Sequence, residues 1–200
     1  MKKYLFIIIL FVLSSGVKAQ LSFNAAMGLD FRAASSFRDY INANYPSPGN
    51  LLSSFKSAAS FSLETDYKIE KNFEIGLQYN LLIDSYNSTT SNYQISINYH
   101  RPSIMAYYVV PGDGYQFKFG GGLGYRYVSL TEKIYASSNY SASGFGLVLS
   151  AVGNTQLAKN VYALIGVDAR YDAPGDVSSK ENFNMNSISF GIYLGVTYSL

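Results

Sequence analysis

Residues 187–200 read SISFGIYLGVTYSL, and apolar residues alternate with small or polar ones along the whole stretch. Ile188, Phe190, Ile192, Leu194, Val196, Tyr198 and Leu200 fall on one face. Ser187, Ser189, Gly191, Tyr193, Gly195, Thr197 and Ser199 fall on the other. Successive side chains of a β-strand point to opposite sides, so this segment is a strand with one greasy face. Such a face must be covered by something, and the rest of the chain has to say by what.

The same period of two recurs seven more times. It runs over residues 20–32, 55–69, 72–85, 92–110, 115–131, 142–153 and 160–172. In the fourth segment the greasy face is expected to be Tyr93, Ile95, Ile97 and Tyr99. No stretch carries a helical period, so the expected fold is all-β with eight strands. The connections alternate in length: 33–54, 86–91, 132–141 and 173–186 are long, whereas 70–71, 111–114 and 154–159 are short. Pro111-Gly112-Asp113-Gly114 is a turn signal.

Composition decides which way the greasy faces point. Charged residues are 14% and aromatics 16% of the chain, with 19 tyrosines and no tryptophan. Ordinary soluble domains carry about 25% charged residues. The opposite faces are small rather than Lys/Glu-rich: Ala26 and Gly28, Ala58 and Ser60, Gly120 with Gly122 and Gly124, Gly144 and Gly146. A narrow interior needs small side chains, whereas a water-facing exterior does not. Aromatics gather towards both ends of the greasy faces, with Tyr67, Phe73, Tyr115 and Tyr198 at one end. Phe31, Phe55, Tyr93, Tyr127, Tyr171 and Phe190 lie at the other. Two aromatic girdles around an aliphatic band match the two interfaces of a bilayer. The reading is an eight-stranded antiparallel up-and-down transmembrane β-barrel over residues 20–200, its short turns and both termini at the periplasmic rim. Several strands exceed the 9–11 residues a crossing needs, so the wall should extend beyond the membrane on the extracellular side.

The start of the chain agrees with export. Lys2 and Lys3 precede an apolar run from Tyr4 to Leu13, and small residues end in Val17-Lys18-Ala19 before Gln20. Residues 1–19 read as a signal peptide cleaved after Ala19. Cleavage removes Lys2, Lys3 and Lys18 from the 15 basic residues and none of the 13 acidic ones, leaving a net charge of −1. That balance indicates no nucleic-acid partner. There is no cysteine, which excludes disulfides, thiolate metal sites and a lipidated cysteine.

On this pattern the chain resembles the small eight-stranded outer-membrane barrels, the class of the OmpA transmembrane domain, OmpX and OmpW. The Lys18-Ala19-Gln20 junction is similar to those of Bacteroidota outer-membrane β-barrel domain proteins. The resemblance implies residence in the bacterial outer membrane among its lipids, and insertion by the barrel-assembly machinery. That machinery reads the last strand, often at a terminal aromatic; here the chain ends in Leu200, with Tyr198 two residues earlier. The resemblance carries no catalytic residues and no cofactor, and the barrel is expected to be a monomer.

Nearly all strand charges fall on the inward faces. Asp30, Arg32, Lys56, Asp84, Arg126, Asp168 and Arg170 lie towards the extracellular end; Glu64, Asp66, Glu74 and Lys118 lie towards the periplasmic end. Glu64 and Glu74 stand five residues either side of position 69, so a tight hairpin there would set them nearly opposite. Like charges that close need a cation between them, and Lys118 is the candidate. The expectation is a Glu64/Glu74–Lys118 cluster below and a network around Arg126 and Arg170 above, with Asp30, Asp84 and Asp168 as its acids, together plugging the lumen.

Three other features invite chemistry. Gly120-Gly121-Gly122-Leu123-Gly124 lacks the Lys-Ser/Thr of a phosphate loop and opens no helix, so close backbone approach is the better reading. His100 is the single histidine and is followed by Arg101-Pro102. Strict alternation would aim Arg101 at lipid, at a cost of about 2–4 kcal/mol at the midplane. A β-bulge near 100–102 that turns Arg101 inward is therefore expected. Loop 33–54 carries Phe37, Tyr40, Tyr45, Leu51 and Leu52, which either bind an extracellular ligand or fold over the barrel mouth.

The leading functional reading is a non-enzymatic barrel with a structural or surface-interaction role. The alternative is a narrow porin-like channel for small solutes, although eight strands enclose a space that side chains just fill. A barrel enzyme is the third.

Overall fold

The protein is described here by a computed structural model covering residues 21–44, 56–87, 93–133, 136–177 and 183–200. Residues 1–19, expected to be a signal peptide, Phe55, and Tyr45, Leu51 and Leu52 of the first loop lie outside the described residues. Eight strands appear in order: β1 (Leu21–Ala33), β2 (Lys56–Glu70), β3 (Phe73–Asn87) and β4 (Gln94–Pro111). Then follow β5 (Tyr115–Lys133), β6 (Ser137–Ala158), β7 (Val161–Ala173) and β8 (Ser187–Ser199). Each pairs antiparallel with the next, and β8 closes on β1 through Phe23–Tyr198 to Ala33–Ile188. The all-β, eight-stranded antiparallel up-and-down barrel read from the sequence is the observed fold.

On β8 the six residues from Ile188 to Tyr198 that the period assigns outward are all exposed, while Ser187, Ser189 and Thr197 are buried. Ten residues at about 3.3 Å each, tilted by about 40°, give an apolar band roughly 25 Å tall, the height of a transmembrane barrel's lipid face. Phe73 and Tyr108 meet edge-on near the short-turn rim at 5.5 Å between ring centres.

Higher up, β4 inverts the pattern. Its outward residues run Tyr108, Ala106, Ile104 and Pro102, then His100, Asn98, Ser96 and Gln94. Its inward residues run Tyr107, Met105, Ser103 and Arg101, then Tyr99, Ile97 and Ile95. Leu194 on the band is 60% exposed, whereas Ile97 is 1% exposed. Below His100 the wall is greasy outside, while its interior holds the charged residues together with a buried apolar cluster of Met105, Tyr107, Val109 and Val148. Above His100, β4 and β5 turn Ile95, Ile97, Val128 and Leu130 inward and Ser96, Asn98, Ser129 and Thr131 outward, the arrangement of a soluble barrel, with Arg32, Asp84 and Glu132 buried among the inward residues. At that height the outward side chains change from ones suited to hydrocarbon to ones suited to a polar surrounding.

Four expectations are corrected. Tyr93, Ile95, Ile97 and Tyr99 are not lipid-facing; they are buried inside the upper wall. No bulge is needed for Arg101. The β4–β5 pairing resumes in the same register after a gap, from His100–Tyr127 to Ile104–Leu123, and Arg101 shares the inward parity of Tyr99. A helix is also present: α1 (Ser35–Asn44) lies in the first loop, with Phe37 and Ile41 buried. Ala34, Phe37, Tyr40 and Ile41 do fall at helical spacing, but over barely two turns. The helix holds because its apolar side packs into the barrel mouth against Ile95, Ile97, Leu130 and Leu82. Finally, β6 is longer than expected, running over 137–158 instead of 142–153.

Candidate functional site

The lumen holds the sequence's candidate residues in three tiers. At the short-turn end, β5 presents Lys118 to two strands at once. Its Nζ lies 2.7 Å from Asp66 Oδ2 and 2.5 Å from Glu74 Oε2. Glu64 is held separately. Gln78 Nε2 donates to it at 2.7 Å and Tyr107 OH at 3.0 Å. Asn24 Nδ2 donates to Asp66 at 2.8 Å and itself receives Thr197 Oγ1 through its own oxygen.

Lys118 thus bridges Asp66 and Glu74 rather than Glu64 and Glu74. The reason is register: the β2–β3 reversal is at Lys71–Asn72, with a bulge between Lys68 and Glu70. Glu64 therefore faces Gln78, and Glu74 faces Lys68. Asp66 fills the place expected of Glu64.

In the middle tier, Arg170 folds back on its own strand. Its Nε and Nη2 donate to Asp168 Oδ2 at 3.0 and 2.7 Å, and Nη2 also donates to Gln78 Oε1 at 2.8 Å. Gln78 therefore ties this tier to the one below. Tyr193 lies flat over bare backbone, where a Cβ at Gly166 would overlap its ring, and its hydroxyl meets Ser150 Oγ at 2.8 Å.

The upper tier is the most deeply buried. Arg101 Nη1 lies 2.8 Å from Asp30 Oδ2, and its Nη2 2.9 Å from Asp172 Oδ2. Asp172 also pairs with Arg126 Nε. Arg126 Nη1 donates to Ser103 Oγ at 3.1 Å, to Tyr125 O at 2.9 Å and to Pro102 O at 3.2 Å. Those carbonyl contacts sit where the β4–β5 ladder is interrupted beside proline, which has no N–H to give. A Cβ at Gly146 would overlap the Arg126 guanidinium, so that glycine makes the room. Towards the rim, Asp84 joins Arg32 at 3.0 Å and Lys56 at 2.8 Å.

Arg32 and Arg101 both approach the ring of Tyr99, at 4.6 and 5.2 Å from its centre. The Tyr99 hydroxyl donates to Met185 O at 2.9 Å, so this ring joins the charged tiers to the apolar cap above. The cap consists of α1, the 183–185 segment and the inner faces of β4 and β5. Tyr40 stacks on Phe183 at 4.2 Å, and Tyr40 and Tyr93 both donate to Glu132. Phe37 and Tyr40 thus turn into the mouth instead of standing free on the loop.

All eight candidate lumen residues face inward. Asp172 and Arg101, which sit at the centre of the upper tier, were not among them. Asp172 follows Asp168 and Arg170 at the same two-residue spacing, so the period could have found it. Arg101 is expected inward from the cost of a charge facing lipid, and it does point inward, but with the register unbroken; its partners Asp30 and Asp172 are not legible from the period.

Outside the barrel, His100 Nδ1 is 2.6 Å from Tyr79 OH, and its ring lies 5.8 Å from that of Tyr127. Among the described residues, no group of three or more His, Cys, Asp or Glu is placed to hold a metal ion.

No protein-family model and no curated protein matches the chain. Solved structures do. Neisserial surface protein A aligns at a TM-score of 0.59 and 13% identity, covering 90% of this chain and 97% of that one. Ail, the attachment invasion locus protein of Yersinia pestis, aligns at 0.55 and 12% over 92% of this chain and 100% of its own. A major outer membrane protein from Thermus thermophilus aligns at 0.54 and 12%, covering 90% and 99%. At such identities the likeness is one of fold: this chain has the architecture of the small eight-stranded outer-membrane β-barrels.

Proposed function

We propose that the protein is an integral barrel of the bacterial outer membrane that acts through its surface and its extracellular end, without conducting and without catalysis. The observation that carries the reading is the filling of the lumen. Ion pairs occupy three tiers, and α1 with Phe183 and Met185 caps them. Between Lys118, Glu64, Asn154 and Tyr193 there remains a cavity of about 20 Å³, enough for one water molecule. A porin-like path would need a continuous run of such space.

The lipid-height apolar band supports residence in the membrane, and insertion by the barrel-assembly machinery follows from that reading. A catalytic role for His100 would call for a nucleophile and an orienting acid in contact with it. The contacts of its ring are instead two tyrosines. Heat-modifiable migration of refolded protein tests the barrel. Planar-bilayer recording tests the closed lumen: silent membranes are expected, and a stable open current abolished by Gly122→Phe would overturn the reading in favour of a narrow channel.

A further inference from the structure

The barrel is taller on one side. Pairing between β2 and β3 stops at Ala59–Ile83, and pairing between β6 and β7 stops at Phe145–Ala173. Pairing within the β3–β6 group continues to Asn87–Gln94 and Lys133–Ser137. Four strands therefore stand above the apolar band as a sheet. Its inner face is covered by α1 and the 183–185 segment.

Its outer face is a regular array. One row across the four strands is Ser85, Ser96, Thr131 and Asn139, and the next is Ile83, Asn98, Ser129 and Ser141. Thr131 Oγ1 donates to Asn139 Oδ1 at 2.8 Å within the array. Lys133 is the one Lys, Arg, Asp or Glu on this face among the described residues. Directly below lie His100 and Tyr127, at the top of the lipid-facing band.

We infer that this outer face is a contact surface for the uncharged sugar hydroxyls of the glycolipids that surround the barrel in the outer leaflet. The inference rests on the outer-membrane reading above. Three features select the occupant. The face continues upward from the band without a step, so whatever amphiphile covers the band places its head here. Apart from Ile83 at its lower edge and Lys133 at its top, the groups offered are neutral hydroxyls and carboxamides, which match sugar hydroxyls; phosphate recognition calls for Arg or Lys. Height is the third. From the His100 row to the Gln94 row is six residues, about 20 Å along the strands and about 15 Å along the membrane normal. A phospholipid headgroup layer is only about 5–8 Å thick, so it would reach the lowest row alone. A head bearing several sugars spans the whole array.

The test uses the full mature chain refolded into three bilayers: phospholipid alone, phospholipid with lipid A, and phospholipid with lipopolysaccharide carrying its core oligosaccharide. Amide hydrogen exchange is followed in 94–98, 129–133 and 137–143, with β8 as the membrane control. We expect exchange in the three upper segments to slow at least threefold with the oligosaccharide and to be equal in the other two bilayers. Nuclear Overhauser contacts from the Asn98 and Asn139 carboxamides to sugar ring protons should appear only with the oligosaccharide. Equal exchange in all three bilayers would mean that water occupies the face and would overturn the inference. Full protection with lipid A alone would overturn it in favour of a phosphate or acyl contact. Loss of β8 protection in every bilayer would instead sink the outer-membrane reading itself.

Discussion

Asp172 is the most informative single position in the lumen. It is fully buried, lies 2.9 Å from Arg101 Nη2 and pairs with Arg126 Nε as well. Asp172→Asn keeps the shape and one acceptor oxygen but removes the charge between two guanidinium groups. Arg101 retains Asp30 at 2.8 Å, so its loss is partial. Arg126 retains only neutral acceptors, Ser103 Oγ and the carbonyls of Pro102 and Tyr125. Breaking a buried pair costs about 3–5 kcal/mol because a charge is left uncompensated, and the retained acceptors place this variant near 3 kcal/mol. Like-charge repulsion between Arg101 and Arg126, formerly offset by Asp172, acts in the same direction. The assay is equilibrium unfolding in denaturant from phospholipid vesicles, with the folded fraction read by gel mobility. Adding Arg126→Gln to Asp172→Asn should recover at least about 1 kcal/mol, because the orphaned cation is gone. A loss below about 1 kcal/mol for Asp172→Asn would show a wet, screened lumen and refute the description of this tier as a dry ion-pair layer.

The inversion of faces along the wall predicts a depth contrast. Leu194→Arg, at the middle of the outward band, should cost about 2–4 kcal/mol, whereas Ser129→Arg, outward but above it, should cost about 0–1 kcal/mol by the same unfolding measurement. Phe37→Ala should release α1 from the mouth at a local cost of about 3–5 kcal/mol, read as new proteolysis near 34–44 with heat-modifiable migration retained. Gly166→Ala should cost about 1–3 kcal/mol, because the new methyl overlaps the Tyr193 ring. A Gly166→Ala/Tyr193→Phe pair no more stable than Gly166→Ala is also expected, since the clash is with the ring and not its hydroxyl.

A period of two carries a good deal without any knowledge of the third dimension. Ser187 to Leu200 shows its faces without any partner, because strand geometry is local. Eight such segments with small opposite faces and few charges specify a closed barrel with its greasy side outward. The same parity puts Asp30, Glu64, Glu74, Asp84, Lys118, Arg126, Asp168 and Arg170 inside. Which of them meet is another matter. Lys118 bridges Asp66 and Glu74 because a bulge at Lys68–Glu70 and a reversal at Lys71–Asn72 displace the register, and such a displacement leaves the alternation of each strand intact.

The top of β4 was illegible for a deeper reason. Tyr93, Ile95, Ile97 and Tyr99 alternate as well as any lipid-facing run, but periodicity does not say which solvent lies outside. It takes the assembled barrel to show that these residues stand above the band, where the exterior is polar and the cap of α1 covers the interior. Arg101 then falls inward without strain, and the short apolar stripe of α1 acquires the surface that makes it a helix.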